Sequence, residues 1–443
     1  MRWLIPTLYC IVCLTVPPVL GRVKSWLSFN YLFLLFFFLI IFFGVHILDY
    51  TGVYPEISVN WKCYFIIYLL PFLFCLSLIF GKEKFGDFGD GYVRTWDGDK
   101  VGELFFLIVG CVFLILYIWK NELAITAIIK GDIIEVYTRR AEAHMWISNS
   151  LLYRIYLLFA RYGIQFIAIF EFAEYLVKRR NKIKLLLIMA MALFVIVSDG
   201  QKYPIFLFLF QIYMVRAIIK KRMEVEKDKS WKWIKTLVVV SIAFVSMCLI
   251  YYFVVPNARK AADSGEYSTI MQMVLDRSVL GHAKPLAVIT SDFPDKINYL
   301  FGKTMSDFGI LPFDQFDLSS YAYHELYRGY EFGGASTVFA GEFYANAGLL
   351  AVVILTVAFV LCSRKCEYYL ARRCDNTMGV AVYSFIGGVF TNLSSTQIIM
   401  GLGLPVAAVI LFIFLSTIFR INRKHSVQMQ FQCKSNNTIQ LIS

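Results

Sequence analysis

Charge is scarce in this sequence. Lys, Arg, Asp and Glu make up 17% of its 443 residues, where a soluble globular chain carries about 25%, so an ordinary water-borne domain is excluded. Histidine is scarcer still, five in all and dispersed. No HExxH pair, P-loop, Rossmann glycine pattern or nucleophile elbow occurs, which removes the chemistries those motifs carry. The ten cysteines sit at 10, 13, 63, 75, 111, 248, 362, 366, 374 and 433. None falls in the two longest hydrophilic connections, so no disulfide framework is implied. Cys362, Cys366 and Cys374 cluster loosely without metal-ligand spacing, and Asp87, Asp90, Asp97 and Asp99 lie among glycines as surface turns do. The first apolar run carries Pro17-Pro18 and lacks a clear small-residue cleavage site, against a cleaved signal peptide. No internal repeat is visible, which weakens an inverted-repeat transporter reading.

Apolar residues take the place of charge. They reach 59%, with 41 Phe and 27 Tyr, which suits long lipid-facing and interfacial surfaces. A helix needs about 20 apolar residues to cross the hydrocarbon, because each unpaired backbone group there costs several kcal/mol. By that template about eleven segments qualify, with a range of 10–12: roughly 4–20, 26–48, 63–81, 101–119, 151–173, 183–199, 203–219, 236–256, 336–361, 379–395 and 404–420. The fold class is therefore an all-α polytopic membrane protein, with residues 1–443 forming one integral membrane domain.

The formal charge of +12 lies mostly in short clusters between the apolar runs, which discounts a nucleic-acid partner. Arg22 and Lys24, Lys82 to Lys100, Lys178 to Lys184, Arg216 to Lys235, Arg364 to Arg373, and Arg420 to Lys434 hold more than half of the 43 Lys and Arg residues. They occupy alternate connections. Positive charge is held in the cytoplasm, so the pattern predicts a cytoplasmic carboxyl terminus, with residues 421–443 as its tail, and an outside amino terminus.

Two outer connections are long, at 120–150 and 257–335. Glu266 to Thr290 has Ile270, Met273, Val274 and Leu280 at near-helical spacing and reads as an amphipathic helix against the membrane surface. The stretch from Tyr321 to Tyr330 mixes tyrosines with His324, Glu325 and Arg328. Two readings fit it equally, a sugar-binding surface or a folded loop whose tyrosines pack as its core. Glu342 and Asn346 follow, one turn apart on one helix face and two turns into an apolar run. A carboxylate there marks a functional site, or else sits close enough to the interface to be hydrated. In the first long connection stand Lys130, Asp132, Glu135, Arg139, Arg140, Glu142 and His144. Arg154 and Arg161 in the next span are seven residues apart, two turns along one face of a regular helix, so one cavity can hold both. Planar bidentate Arg is the natural partner of a diphosphate, although Arg154 can also snorkel to the interface.

With these residues laid out, the chain resembles the O-antigen polymerases of the Wzy type and the wider group of oligosaccharide repeat-unit polymerases. Most of the length resembles them as architecture: ten or more spans, a cytoplasmic carboxyl terminus and two dominant outer loops, the larger in the carboxyl-terminal half. Locally, Gly200-Gln-Lys-Tyr-Pro204 stands where the family often shows a Gly-x-Arg turn, with Lys202 in place of Arg. Ser336-Thr-Val-Phe-Ala-Gly-Glu-Phe-Tyr-Ala-Asn-Ala-Gly348 is similar to the family's entry to the helix after the large loop.

The resemblance implies a GT-C-like membrane glycosyltransferase of the bacterial inner membrane, working without a metal or other cofactor. Its substrate is an undecaprenyl-diphosphate-linked oligosaccharide at the periplasmic face, and a chain-length regulator protein is a further partner it suggests. The reaction needs a general base and cationic stabilisation of the leaving diphosphate. Candidates for the base are His282, His324, Glu325 and Glu342. Candidates for binding diphosphate or sugar are Arg139, Arg140, Arg154, Arg161, Lys202, Arg259, Arg277, Arg328 and Asn346. An O-antigen ligase shares this architecture and donor, and a polysaccharide flippase or secondary transporter is the non-enzyme alternative. The long outer loop argues against the latter.

Overall fold

The computed structural model describes residues 3–52, 54–80, 84–96, 98, 100–120, 126, 139, 151–198, 202–223, 279–304, 316–327, 334–391 and 402–418. Among these the chain is almost wholly helical and holds no strand, only isolated bridges between Val23 and Phe85 and between Arg94 and Asn376. In chain order the helices are α1 (Leu4–Val19), α2 (Phe29–Thr51), α3 (Trp61–Phe80), α4 (Lys100–Lys120), α5 (151–178), α6 (Lys182–Ser198), α7 (Lys202–Met223), α8 (Gly281–Asp292), α9 (Leu318–Leu326), α10 (Phe339–Arg372), α11 (Thr377–Thr391) and α12 (Leu404–Ile418).

Local chemistry sets several ends. Ser28 starts α2 by accepting from Tyr31 N, Asn60 starts α3 by accepting from Cys63 N at 2.9 Å, and Gly52 ends α2 in the left-handed conformation. Five helices, Phe29–Thr51, Trp61–Phe80, Lys100–Trp119, Tyr153–Lys178 and Phe339–Arg372, are long and apolar enough to cross a membrane, and α1, α11 and α12 are shorter apolar helices. The chain is an all-α membrane protein. Ten of the eleven segments read from the sequence coincide with helices, and the eleventh, 236–256, lies outside the described residues.

The basic connections meet at one end of the helix assembly. Phe85 N donates to Arg22 O and Lys24 N to Phe85 O, both at 2.8 Å, and Lys24 pairs with Asp87 at 2.7 Å. Burial pushes the Asp87 carboxyl up, but the Lys24 ammonium outweighs it and holds the group below its ordinary value. Lys221 donates to Lys24 O and Gly86 O, Arg222 donates to Phe88 O, and Arg94 N donates to Asp375 O. Lys184 joins Glu103 and Glu171 at 2.7 and 2.8 Å. At the opposite end the connection after α2 meets α8: Asn60 Nδ2 donates to Thr290 O at 2.8 Å, and the Lys284 ammonium lies 3.3 Å from the centre of the Tyr54 ring.

Polar groups inside the bundle are paired in ways that fasten helices together. Gln165 Nε2 on α5 donates to Gln211 Oε1 on α7, and Gln211 Nε2 donates to Phe385 O on α11. That approach needs Gly388, where a Cβ would meet Gln211 Cγ at 2.4 Å. Glu367 on α10, fully buried, accepts from Asn30 N at 3.1 Å, Asn30 Nδ2 at 2.6 Å and Tyr383 OH at 3.1 Å, while Ser363 Oγ donates to Asn30 Oδ1. Asn30→Ala strips the Asn30 amide donor from a buried carboxylate and is expected to cost about 3 kcal/mol. A lowered thermal midpoint of the detergent-purified protein checks this; an unchanged midpoint would count against it.

Candidate functional site

The end of the assembly away from the basic connections is built from α8, α9, the first two turns of α10 and the turn 297–304. Of the stretch expected as a surface amphipathic helix, Glu266 to Thr290, the part before Val279, with Ile270, Met273 and Val274, lies outside the described residues; the rest runs into α8. Ala283 to Thr290 are all buried, because α8 packs against α2, α3, α9 and α10 together.

α10 is broken near its start. Ala347 has φ −155° and ψ 25°, and Gly348 has φ +75° and ψ −167°, a combination close to glycine-only. A continuous helix would pair the carbonyls of Ala345 and Asn346 with amides one turn on. Here they accept instead from Leu300 N and Phe301 N, both at 3.0 Å. A Cβ on residue 348 would also lie 2.7 Å from the Tyr299 hydroxyl.

Asn346 locks the turn from its side chain as well. Its Oδ1 accepts from Gly302 N at 2.7 Å, and its Nδ2 donates to Thr304 Oγ1 at 2.6 Å and Glu342 O at 2.8 Å. Thr304 Oγ1 in turn donates to Glu342 Oε1 at 3.0 Å. Glu342 is 5% exposed. The same-face pairing of Glu342 and Asn346 is therefore real, and Thr304 joins them.

A second buried carboxylate, absent from the sequence reading, ends α8. Asp292 accepts from Tyr321 OH at 2.8 Å and pairs with Lys296 at 2.7 Å, and Lys296 also lies 3.9 Å from Glu325. Burial and the adjacent Asp292 push the Tyr321 phenol above its ordinary range. The Tyr321 ring packs near Phe293 and Phe316, so at this position the tyrosine-rich stretch serves as the core of the loop. Asp317 caps α9 by accepting from Ser319 N and Ser320 N, and Tyr344 OH donates to Phe293 O at 2.7 Å.

His282 is partly buried at the start of α8, its Nδ1 3.1 Å from Ser336 O. A carbonyl can only accept, so Nδ1 carries the proton. Burial pushes the imidazole below its ordinary value, partly opposed by that hydrogen bond. His324 is exposed on α9 beside Tyr323.

His282, Glu325, Glu342 and Asn346 thus belong to one packed unit. Arg154 and Arg161 stand elsewhere, on α5, whose amino-terminal half packs on α4. The segment Leu157–Gly163 between and around them is π-helical. Its wider turns rotate each residue less than an α-helix does, which shifts the phase of the pair from that of the regular turns the sequence reading assumed. Tyr117 stacks on Tyr156 beside them at 4.4 Å. Arg139 is buried and donates to Thr126 Oγ1. Lys202 opens α7, and Arg140, Arg259, Arg277 and Arg328 lie outside the described residues.

Asp292, Lys296 and Thr304 were not legible as site residues. Only the phrase Ser291-Asp-Phe-Pro294, a helix end before proline, hinted at Asp292.

Geometry defines the class: a helical membrane protein with a broken helix and a buried carboxylate at one end. Comparison with family models, curated proteins and solved structures gives no match.

Gly348→Ala is expected to cost about 3 kcal/mol, since it combines a disallowed backbone with a collision at Tyr299. Thermal unfolding checks this, with Ala347→Gly as the control expected to change little. For His282, the folded protein resists a proton that the unfolded chain accepts, so its contribution is full above about pH 6.5 and lost as pH falls through the folded value. Melting temperatures between pH 7.5 and 5.5 should fall less steeply in His282→Gln than in the parent, and identical slopes would remove the assignment.

Proposed function

We propose that the chain polymerises undecaprenyl-diphosphate-linked oligosaccharide repeat units into O-antigen or a related surface polysaccharide, by glycosyl transfer at the periplasmic face of a bacterial inner membrane. The observation that carries this reading is Glu342: a carboxylate buried in a broken helix, at the end of the bundle opposite the basic connections. With positive charge held in the cytoplasm, that end faces outward, where translocated glycolipid is presented. The reading takes eleven spans, an outside amino terminus, a cytoplasmic carboxyl terminus and a GT-C-like architecture, with residues 257–335 as the large periplasmic loop.

In the reaction, a hydroxyl of the incoming repeat unit attacks the anomeric carbon of the chain-bearing lipid. The new carbon–oxygen bond forms as the bond to the diphosphate breaks, and the hydroxyl proton passes to a base. Glu342 is placed for the base by its hydrogen bond from Thr304, with His282 and Glu325 in the same packed unit. Arg154 and Arg161 on α5 neutralise the leaving diphosphate in this scheme. No metal is required in this scheme. A chain-length regulator would act from outside the site.

A ligase of the same architecture is separated by one experiment. Loss of a polymerase leaves single repeat units on the lipid A core, and loss of a ligase leaves the core bare. Glu342→Gln and Arg161→Ala, each expressed in a strain deleted for the chain, are expected to reduce long-chain polymer about 100-fold or more while the protein stays in the membrane. Wild-type polymer lengths in both variants would end this reading, and bare core would replace it with the ligase.

A further inference from the structure

Phe301 is held in a conformation that its side chain avoids. Its φ is +48°, in the left-handed region where a bulky residue is an outlier. Burial does not offset this, because Phe301 is 77% exposed. The chain around it faces water: Asp295, Lys296, Asn298 and Lys303 are all exposed, so the ring does not continue an apolar belt.

The position is imposed by the broken helix. Leu300 N and Phe301 N are bound to the carbonyls of Ala345 and Asn346, and Gly302 N to the Asn346 side chain, on either side of the strained residue. The Asn346 amide reaches Thr304, and Thr304 reaches Glu342. The strained backbone of Phe301 and the buried carboxylate are therefore the two ends of one short hydrogen-bonded link. Tyr299 lies near-perpendicular to Phe301, ring centres 6.5 Å apart, and the Phe301 side chain remains largely exposed. Backbone strain kept against an unburied side chain is a property of ligand-holding positions.

We propose that Phe301 is a sugar-stacking residue, taking the C–H face of a pyranose from a lipid-carried oligosaccharide beside Glu342. This rests on the polymerase reading above and deepens it by naming the contact that receives the sugar. A pyranose offers one apolar face and a rim of hydroxyls. A planar exposed ring meets the face, and polar groups at fixed distance from it meet the rim.

The test places photoreactive p-benzoylphenylalanine at position 301 of the full chain in membranes. Three radiolabelled probes are compared: lipid-diphosphate-linked oligosaccharide from a strain lacking the chain, undecaprenyl phosphate without sugar, and phospholipid liposomes. Crosslinking to the glycan-bearing lipid is expected to exceed each sugar-free probe by about 10-fold, the scale of one aromatic contact. Equal labelling of phospholipid overturns the proposal and makes Phe301 an interfacial anchor, and equal labelling of bare undecaprenyl phosphate overturns it too.

Phe301→Asn, which removes the ring and tolerates the left-handed backbone, is expected to shorten the polymer without lowering the melting temperature, and Phe301→Tyr to keep polymer length. A lowered melting temperature in Phe301→Asn would make the ring a packing element and overturn the proposal. Long polymer in Phe301→Asn alongside none in Glu342→Gln defeats this inference alone. Long polymer in both defeats the polymerase reading itself.

Discussion

Carbonyl groups freed inside a helical membrane protein must find donors, because an unpaired backbone group removed from water costs several kcal/mol. The break at Ala347-Gly348 frees those of Ala345 and Asn346, and the turn at Leu300 and Phe301 supplies the amides. Much of the end away from the basic connections follows from this exchange. It fixes the turn 297–304 against α10, brings Thr304 to Glu342, and forces Phe301 into its unusual backbone. Gly348 is the residue that permits it, since a side chain there would need both a forbidden φ and the space of the Tyr299 hydroxyl.

The two ends of the molecule solve different electrostatic problems. At the basic end, cations are used up structurally: Lys221 and Arg222 satisfy backbone carbonyls, Lys24 meets Asp87, and Lys184 sits between two glutamates. At the other end two carboxylates, Asp292 and Glu342, are buried. Asp292 is held by Tyr321 and Lys296 and so ties α9 to α8. Glu342 accepts from the Thr304 hydroxyl and so ties the turn 297–304 to α10. The Glu367 network plays the anchoring part near the basic end, joining α2, α10 and α11.

Two sequence expectations met different geometry for physical reasons. The pairing of Arg154 with Arg161 assumed regular α-helical turns, and the π-helical segment alters the phase between them. Most of the stripe expected over 266–290 lies outside the described residues, and the helix that follows it, 281–292, carries small residues, Gly281, Ala283 and Ala287, that suit close packing on several sides. Periodicity reports a face only when one face is exposed.

The sequence by itself determined what depends on local spacing and on transfer from water: which segments are helical, which connections carry the charge, and that Glu342 and Asn346 share a face. These follow from 3.6 residues per turn and from the cost of leaving backbone or charge unsatisfied in hydrocarbon. Tertiary structure alone decided which distant groups meet. Thr304 reaches Glu342 across 38 residues and Tyr321 reaches Asp292 across 29, and no local period encodes such pairs. Their meeting is set by how the broken helix and the turn 297–304 satisfy each other's backbone, a choice made only when the chain is packed.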